Sequence, residues 1–300
     1  MVRMVSPDRL AAILEHFRVR TRLFNTGPLC GVTTFPAHPG RGFLHVLRRG
    51  EMDIVHCDAG GMPQRLRVDQ PSVILYPQSL EHTFHNGPSP DDSDFACATL
   101  DIDGGPTHPL LDALPSAIVI PLDDADELEP TLDLLFAEID NVRCGNRAIA
   151  DRLFEVVLIR FFRWLLDHPD DIALTTGLIC GLADERLARA LTAIHESAAE
   201  PWTLNAMAER AGMSRSAFAA HFKQTVGQTP ASYLTDWRIT LAQTHLLAGA
   251  SITRTATDVG YSTTPAFTRA FSTRMGCPPR AWLKNADAND LEEPLPSTST

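Results

Sequence analysis

Apolar positions in the first hundred residues come in short runs, and those beyond residue 128 come at helical spacing. The runs at 31–35, 43–47, 52–55, 72–76 and 95–100 are separated by clusters of Pro, Gly, Asp and Ser. Short strands punctuated this way predict a small antiparallel β-barrel. The pattern then changes. Leu132, Leu135, Phe136 and Ile139 fall on one helical stripe, and Leu153, Val156, Val157, Phe161, Trp164 and Leu165 on a second. Two amphipathic helices behind a barrel either pack on it or offer a surface for dimerisation.

From residue 184 onward every element reads as helix, and the same unit occurs twice. Residues 204–211, Gly212, Ser214, Phe218, Phe222, Gly227 and Pro230 are echoed by residues 252–258, Gly260, Ser262, Phe267, Phe271, Gly276 and Pro279. Gly212 and Gly260 stand where a short turn between helices needs a positive φ. Ser214 and Ser262 follow as expected N-caps. The phenylalanines lie four apart on one face and point into a small core. Gly227 and Gly276 end the second helix of each unit, and Pro230 and Pro279 open the next one. A helix held in this way leaves its opposite face free for a DNA major groove. One helix-turn-helix pattern is weak evidence for DNA binding, whereas two in register are strong. Between them, residues 230–247 form a connecting helix, and Ala188, Leu191, Ile194 and His195 line an earlier bracing helix.

Through these motifs, residues 184–283 resemble the DNA-binding domain of the AraC/XylS family of bacterial transcription regulators. The resemblance implies a regulator acting on promoter DNA and RNA polymerase, with homodimers expected, and not an enzyme. Carried over by position, the base-facing residues are Arg215, Ser216, Ala219, Ala220 and Lys223 in the first unit. In the second they are Thr263, Thr264, Pro265, Thr268 and Arg269. The first set is poor in hydrogen-bonding groups and suits thymine methyls and phosphates. Arg269 is the candidate for a bidentate guanine contact. Arg238, Arg254, Arg274 and Arg280 are expected to hold backbone or brace helices.

Charge sharpens this division. The chain has a formal charge of −11, yet residues 182–285 hold eleven of its 26 Lys/Arg and seven of its 37 Asp/Glu. That leaves fifteen basic against thirty acidic residues elsewhere, so contacts with DNA should be confined to the C-terminal domain. No apolar run reaches membrane-spanning length, and residues 1–10 lack the look of a secretion signal. A cytoplasmic protein is therefore expected. The expected organisation is a multidomain α and β chain. An antiparallel barrel with trailing helices, whose residues are similar to the two cupin motifs at His45 and Glu51 and at Pro77, Ser79, His82 and Asn86 and so imply a cupin-like fold, occupies 1–175, an all-α tandem helix-turn-helix domain 182–285, and a disordered tail 286–300.

The word cupin rests on particular residues. Pro77, Ser79, His82 and Asn86 are similar to the second cupin motif, and His45 and Glu51 to the first, in which Leu47 stands where a second histidine is usual. With that ligand lost, no metal and no cofactor are expected, and His45, Glu51 and His82 become candidates for a ligand pocket. Residues 75–82, 97–100 and 28–31 are similar to a cupin-type subgroup of the AraC family that includes a regulator of the response to reactive chlorine. That resemblance implies redox-sensing cysteines at Cys97 and Cys30. The six cysteines otherwise show no metal-binding or disulfide spacing. A small metabolite in the barrel, and a metal-dependent cupin enzyme fused to DNA-binding helices, stand as the alternatives.

Overall fold

A computed structural model describes residues 8–28, 31–38, 40–56, 63–86, 93–103, 108–112, 114–169, 171 and 174–289. These form two compact units.

The first unit holds nine strands: β1 (Val19–Gly27), β2 (Val32–Phe35), β3 (Arg41–Gly50), β4 (Met52–His56), β5 (Arg65–Val68), β6 (Ser72–Tyr76), β7 (His82–His85), β8 (Ser93–Ile102) and β9 (Ile118–Pro121). They make two antiparallel sheets, ordered β1-β8-β3-β6-β9 and β2-β7-β4-β5. Phe43, Leu47, Ile74, Tyr76 and Phe95 from the first sheet share one core with Phe35, Met52, Ile54 and Phe84 from the second. Alternating positions that face inward produce this arrangement. The five apolar runs coincide with β2, β3, β4, β6 and β8. Strands β1, β5 and β7 escape a hydrophobicity pattern because polar side chains interrupt them, Arg20, Thr21 and Arg22 in β1, Arg65 and Arg67 in β5 and His82, Thr83 and His85 in β7, while the apolar β9 is only four residues long.

Two helices complete the unit, α3 (Glu129–Asp140) and α4 (Asn146–Asp167). Helix α4 docks on β1, where the Asp151 carboxylate accepts from the Leu23 N–H at 2.7 Å. The Asp151 carbonyl accepts from the Thr21 hydroxyl at 2.6 Å. Val157, Phe161, Trp164 and Leu165 are buried as their spacing predicts, whereas Val156 is exposed, on the side of α4 turned away from the strands.

The second unit comprises residues 8–18, 108–112 and 174–289. Its helices are α1 (Ala11–His16), α2 (Pro109–Asp112), α5 (Leu178–Ala183), α6 (Glu185–Glu196), α7 (Leu204–Ala211), α8 (Arg215–Val226), α9 (Pro230–Leu247), α10 (Ile252–Asp258), α11 (Thr264–Met275) and α12 (Pro279–Asn289). Helix α12 runs four residues past the expected start of the tail at 286. Residues 290–300 lie outside the described residues. Asp184 caps α6 by accepting from the N–H groups of Arg186 and Leu187, and Ser214 caps α8. The cap of α11 differs from expectation: Thr263, not Ser262, accepts from the Ala266 N–H. The proline at 265 is compatible with this, because as the second residue of α11 it lies in the first turn, where its missing N–H costs no helical hydrogen bond.

One turn is tied down from several sides. Gly260 has φ +84°, and a Cβ there would lie 2.6 Å from the Ala199 carbonyl oxygen and 2.8 Å from the Arg238 guanidinium. Arg238 itself donates to the carbonyls of Ala198 (2.9 Å) and Glu200 (2.8 Å), and its guanidinium lies 5.7 Å from the Tyr261 ring centre. Gly249 offers a comparison, with φ +85° and open space around it. Gly249→Ala should therefore cost only the strain of a left-handed alanine, about 1–2 kcal/mol. Gly260→Ala should cost a further 1–3 kcal/mol or so from overpacking. Urea denaturation of the two variants checks this, and equal midpoints would contradict it.

Candidate nucleic-acid interface and sensor core

The two helix-turn-helix units share a single design. In each, two phenylalanines anchor the second helix: Phe218 and Phe222 in α8, Phe267 and Phe271 in α11, all fully buried. Their rings stand 5.4 and 5.6 Å apart within the pairs, and each pair meets an aromatic residue of a following helix. Phe222 packs on Tyr233 of α9, and Phe271 on Trp282 of α12. The face opposite the phenylalanines is left open. On α8 it carries Arg215, Ser216, Ala220 and Lys223, all exposed, with Ala219 half-buried. On α11 it carries exposed Pro265 and Arg269 beside half-buried Thr264 and Thr268. Thr263 is exposed, but its side-chain oxygen is engaged in the cap. The structure thus brings together on each second helix the residues picked out by position.

The other arginines divide as expected from their places. Arg274 bonds Ser232 and Asp236, each at 2.7 Å, linking α11 to α9. Arg254 pairs with Asp258 one turn along α10. Arg238 braces the loop before α7 as described above.

Helix α9 meets a ring cluster that sequence reading missed. His195 of α6 lies 4.0 Å from Trp237 between ring centres, and its Nε2 is 2.5 Å from the Tyr233 hydroxyl. Phe17 and His108 close the cluster, at 5.2 and 6.4 Å from Trp237. Burial holds both His108 and His195 down to about 3, so they are neutral. Phe17 and His108 belong to segments with nothing in them to suggest packing on helices far along the chain.

In the barrel unit, His45 and His82 meet in the core with their Nε2 atoms 2.9 Å apart. His82 Nδ1 lies 2.8 Å from the Leu80 carbonyl, which can only accept. His82 therefore donates through Nδ1 and accepts through Nε2, and His45 is the donor between them. His45 Nδ1 is left without a partner. Rings pack around the pair: Tyr76 stacks on His82 at 3.9 Å, and Phe35, Phe43 and Phe84 lie within 6 Å of His45. A second relay runs from the Tyr76 hydroxyl to His56 Nε2 at 2.9 Å, with His56 Nδ1 donating to the Pro63 carbonyl. Glu51 does not join them. It sits at the surface, 2.6 Å from Arg67, because it falls in the turn between β3 and β4 and not on an inward strand position. Among the described residues no third His, Cys, Asp or Glu completes a metal-binding group with the two histidines.

Cys97 stands opposite His45 in the β3–β8 register and is fully buried. Burial pushes its thiol well up, away from thiolate. Cys30 lies outside the described residues. Cys144, between α3 and α4, is exposed.

The chain thus combines a cupin-like barrel with a tandem helix-turn-helix unit. Residues 8–167 match the family described as Cupin, and residues 207–285 the family described as Helix-turn-helix domain. The chain belongs to the cupin family and carries a helix-turn-helix domain. An AraC-like transcription regulator of Streptomyces lividans is 36% identical over 179 residues, 59% of this chain and 58% of the relative. The HTH-type transcriptional regulator AlkR of Acinetobacter baylyi is 33% identical over 183 residues, 59% of each chain. The RCS-specific HTH-type transcriptional activator RclR of Escherichia coli K12 is 24% identical over 216 residues, 69% of this chain and 73% of the relative. The chain thus spans less than two thirds of the length of the first two relatives. These proteins are named as regulators and not as enzymes. No described helix is long and apolar enough to cross a membrane.

The buried histidines give the barrel a pH dependence with a definite sign. His82 is held down to about 3 from 6.5, first by burial, and burial lowers His45 in the same direction. Below 6.5 the unfolded chain takes up protons that the folded core refuses, so stability falls as pH drops from 6.5 towards 3. At pH 5 each fully shifted histidine costs about 2 kcal/mol. Urea denaturation at pH 7 and 5 should show a smaller loss in His82→Asn than in the parent chain, and an equal loss would contradict the assignment.

Proposed function

We propose that this protein is a sequence-specific, double-stranded DNA-binding transcription regulator. In this reading α8 and α11 enter successive major-groove segments and the barrel unit receives the signal. The supporting observation is the pair of equivalent helices, each anchored by two buried phenylalanines and each leaving a free face with basic residues. Arg269 reads guanine, while Arg215 and Lys223 hold phosphates. The protein acts as a homodimer and activates transcription through RNA polymerase.

The proposed signal is oxidation by reactive chlorine at Cys97, with Cys30 as its partner. The relative named RCS-specific supports this, as does the placing of Cys97 in a close-packed core. Hypochlorous acid converts the Cys97 thiol to a sulfenyl chloride with release of water. Attack by the second thiol then forms a disulfide and releases chloride and a proton. Either product enlarges a site with no spare volume, which is how a local reaction would bias the whole barrel. Reaction at a buried thiol requires a transient opening of the sheet, so oxidant access and not thiolate character sets the rate. A second reading, a small effector, is favoured by a cavity of about 620 Å³ in the barrel unit lined by Arg48, Leu122, Asp126, Leu132, Phe136 and Asp140.

Fluorescence anisotropy on DNA from upstream of the gene, at fixed salt, tests both levels. The reduced protein should bind sequence-specifically, and Arg269→Ala should lose about 1–3 kcal/mol of discrimination at one position. Stoichiometric hypochlorous acid should change the affinity, dithiothreitol should reverse the change, and Cys97→Ala should abolish it. Specific binding that oxidant leaves untouched points to the effector reading. Absence of specific binding removes the regulator reading itself.

A further inference from the structure

The reading face of α8 opens into a groove of about 710 Å³ whose walls are mostly apolar. Trp202, Leu204 and Met207 line one side and Leu234 of α9 the other, with Ala219 and Ala220 at the helix itself. The concavity exists because two alanines stand where longer side chains would fill it. Its one charged lining residue is Lys223, which is exposed. Arg215 is exposed at the start of the same helix. A cation therefore stands towards either end of the reading face, as suits a polyanion lying across it.

Resting on the DNA-binding reading above, we infer that this groove makes the first unit a reader of 5-methylpyrimidines. Hydrogen-bond readout of base edges calls for Arg, Asn, Gln or an acidic side chain. Ser216, Ala219 and Ala220 supply a single hydroxyl among them. The major-groove feature that an apolar concavity can select is the methyl group at C5 of thymine, which the other three natural bases lack. The same selection extends to 5-methylcytosine, which differs from cytosine on its groove edge only by that methyl group. The two units thereby use different physics, methyl burial in α8 and a charged hydrogen-bond fork in α11. Cytosine-5 methylation within the first half-site becomes a modification that tightens binding.

The test uses the full chain and a random-sequence duplex pool. Duplexes enriched by binding are resynthesised with uracil in place of thymine, and separately with 5-methylcytosine in place of cytosine, and affinities are measured at one salt concentration. The first half-site is the one whose base preferences survive Arg269→Ala. Uracil there should weaken binding about fourfold for each contacted methyl, and 5-methylcytosine should strengthen it at positions where cytosine is tolerated. Ala220→Gln, on an exposed helix position, should bring the thymine-to-uracil ratio close to one. Equal affinity for thymine and uracil duplexes would overturn the inference while leaving DNA binding standing. A ratio unchanged by Ala220→Gln would also overturn it, since the preference would then reside in DNA shape. Failure to enrich any sequence would remove the DNA-binding reading and this inference with it.

Discussion

Burial of α9 on nearly all sides is the constraint on which the helical unit depends. Tyr233, Leu234, Trp237, Ile239, Thr240, Leu241, Ala242, Gln243 and Leu246 are all buried, and these positions run right round the helix. A helix without a solvent face has to be clothed by its neighbours. Here α6 and α8 cover one end through His195 and Phe222, and α10 and α11 cover the other. Both reading helices are thereby referred to the same rigid rod. Arg238, which leaves α9 for the loop before α7, and Arg274, which reaches from α11 to Ser232 and Asp236 of α9, fix the angle of each unit about it with carbonyl contacts and an ion pair. An elongated surface such as DNA is then met by two helices whose spacing is already set, so little ordering remains to oppose binding.

The barrel unit solves a different problem. Its core holds the neutral pair His45 and His82 among phenylalanines, each accommodated through a fixed tautomer, with His56 bonded beside them to Tyr76 and the Pro63 carbonyl. A charged imidazole has no counter-ion there. Of the four positions expected to carry ligands in a metal-binding cupin, one holds Leu47 and another, Glu51, faces the surface and pairs with Arg67. What is left is a tightly packed interior in which the two central histidines bond each other and His56 bonds Tyr76, while Nδ1 of His45 has no hydrogen-bond partner among the described residues. Such an interior is sensitive to small chemical changes because it cannot absorb them gradually.

How far these features could be read in advance depended on whether their causes were local. The helix-turn-helix units were legible almost residue by residue, since glycine turns, hydroxyl caps and i,i+4 phenylalanines act within a dozen positions. The one slip there, the cap at Thr263, shifted the start of a helix by a single residue. Five strands with apolar runs were equally visible, while β1, β5 and β7 were not, because their arginines, threonines and histidines resemble loop, and the short apolar β9 was passed over. Glu51 was placed in the pocket by motif spacing, which does not register that a turn residue escapes the alternation of the strands beside it. Least legible was the cluster of Phe17, His108, His195 and Trp237. Its members are drawn from three distant stretches, and no periodicity connects them.

That cluster alters how the architecture can be divided. The unit bearing the reading helices is not a detachable C-terminal half, for its core includes a ring from residue 17 and another from residue 108. Genetic exchange at a single junction near residue 174 would deliver a helical unit with Trp237 and His195 laid bare. It would also leave the donor barrel with two orphaned plugs. A change of surface chemistry on the helical unit is therefore reached more directly by substitution on the open faces of α8 and α11 than by exchange of the segment after residue 174.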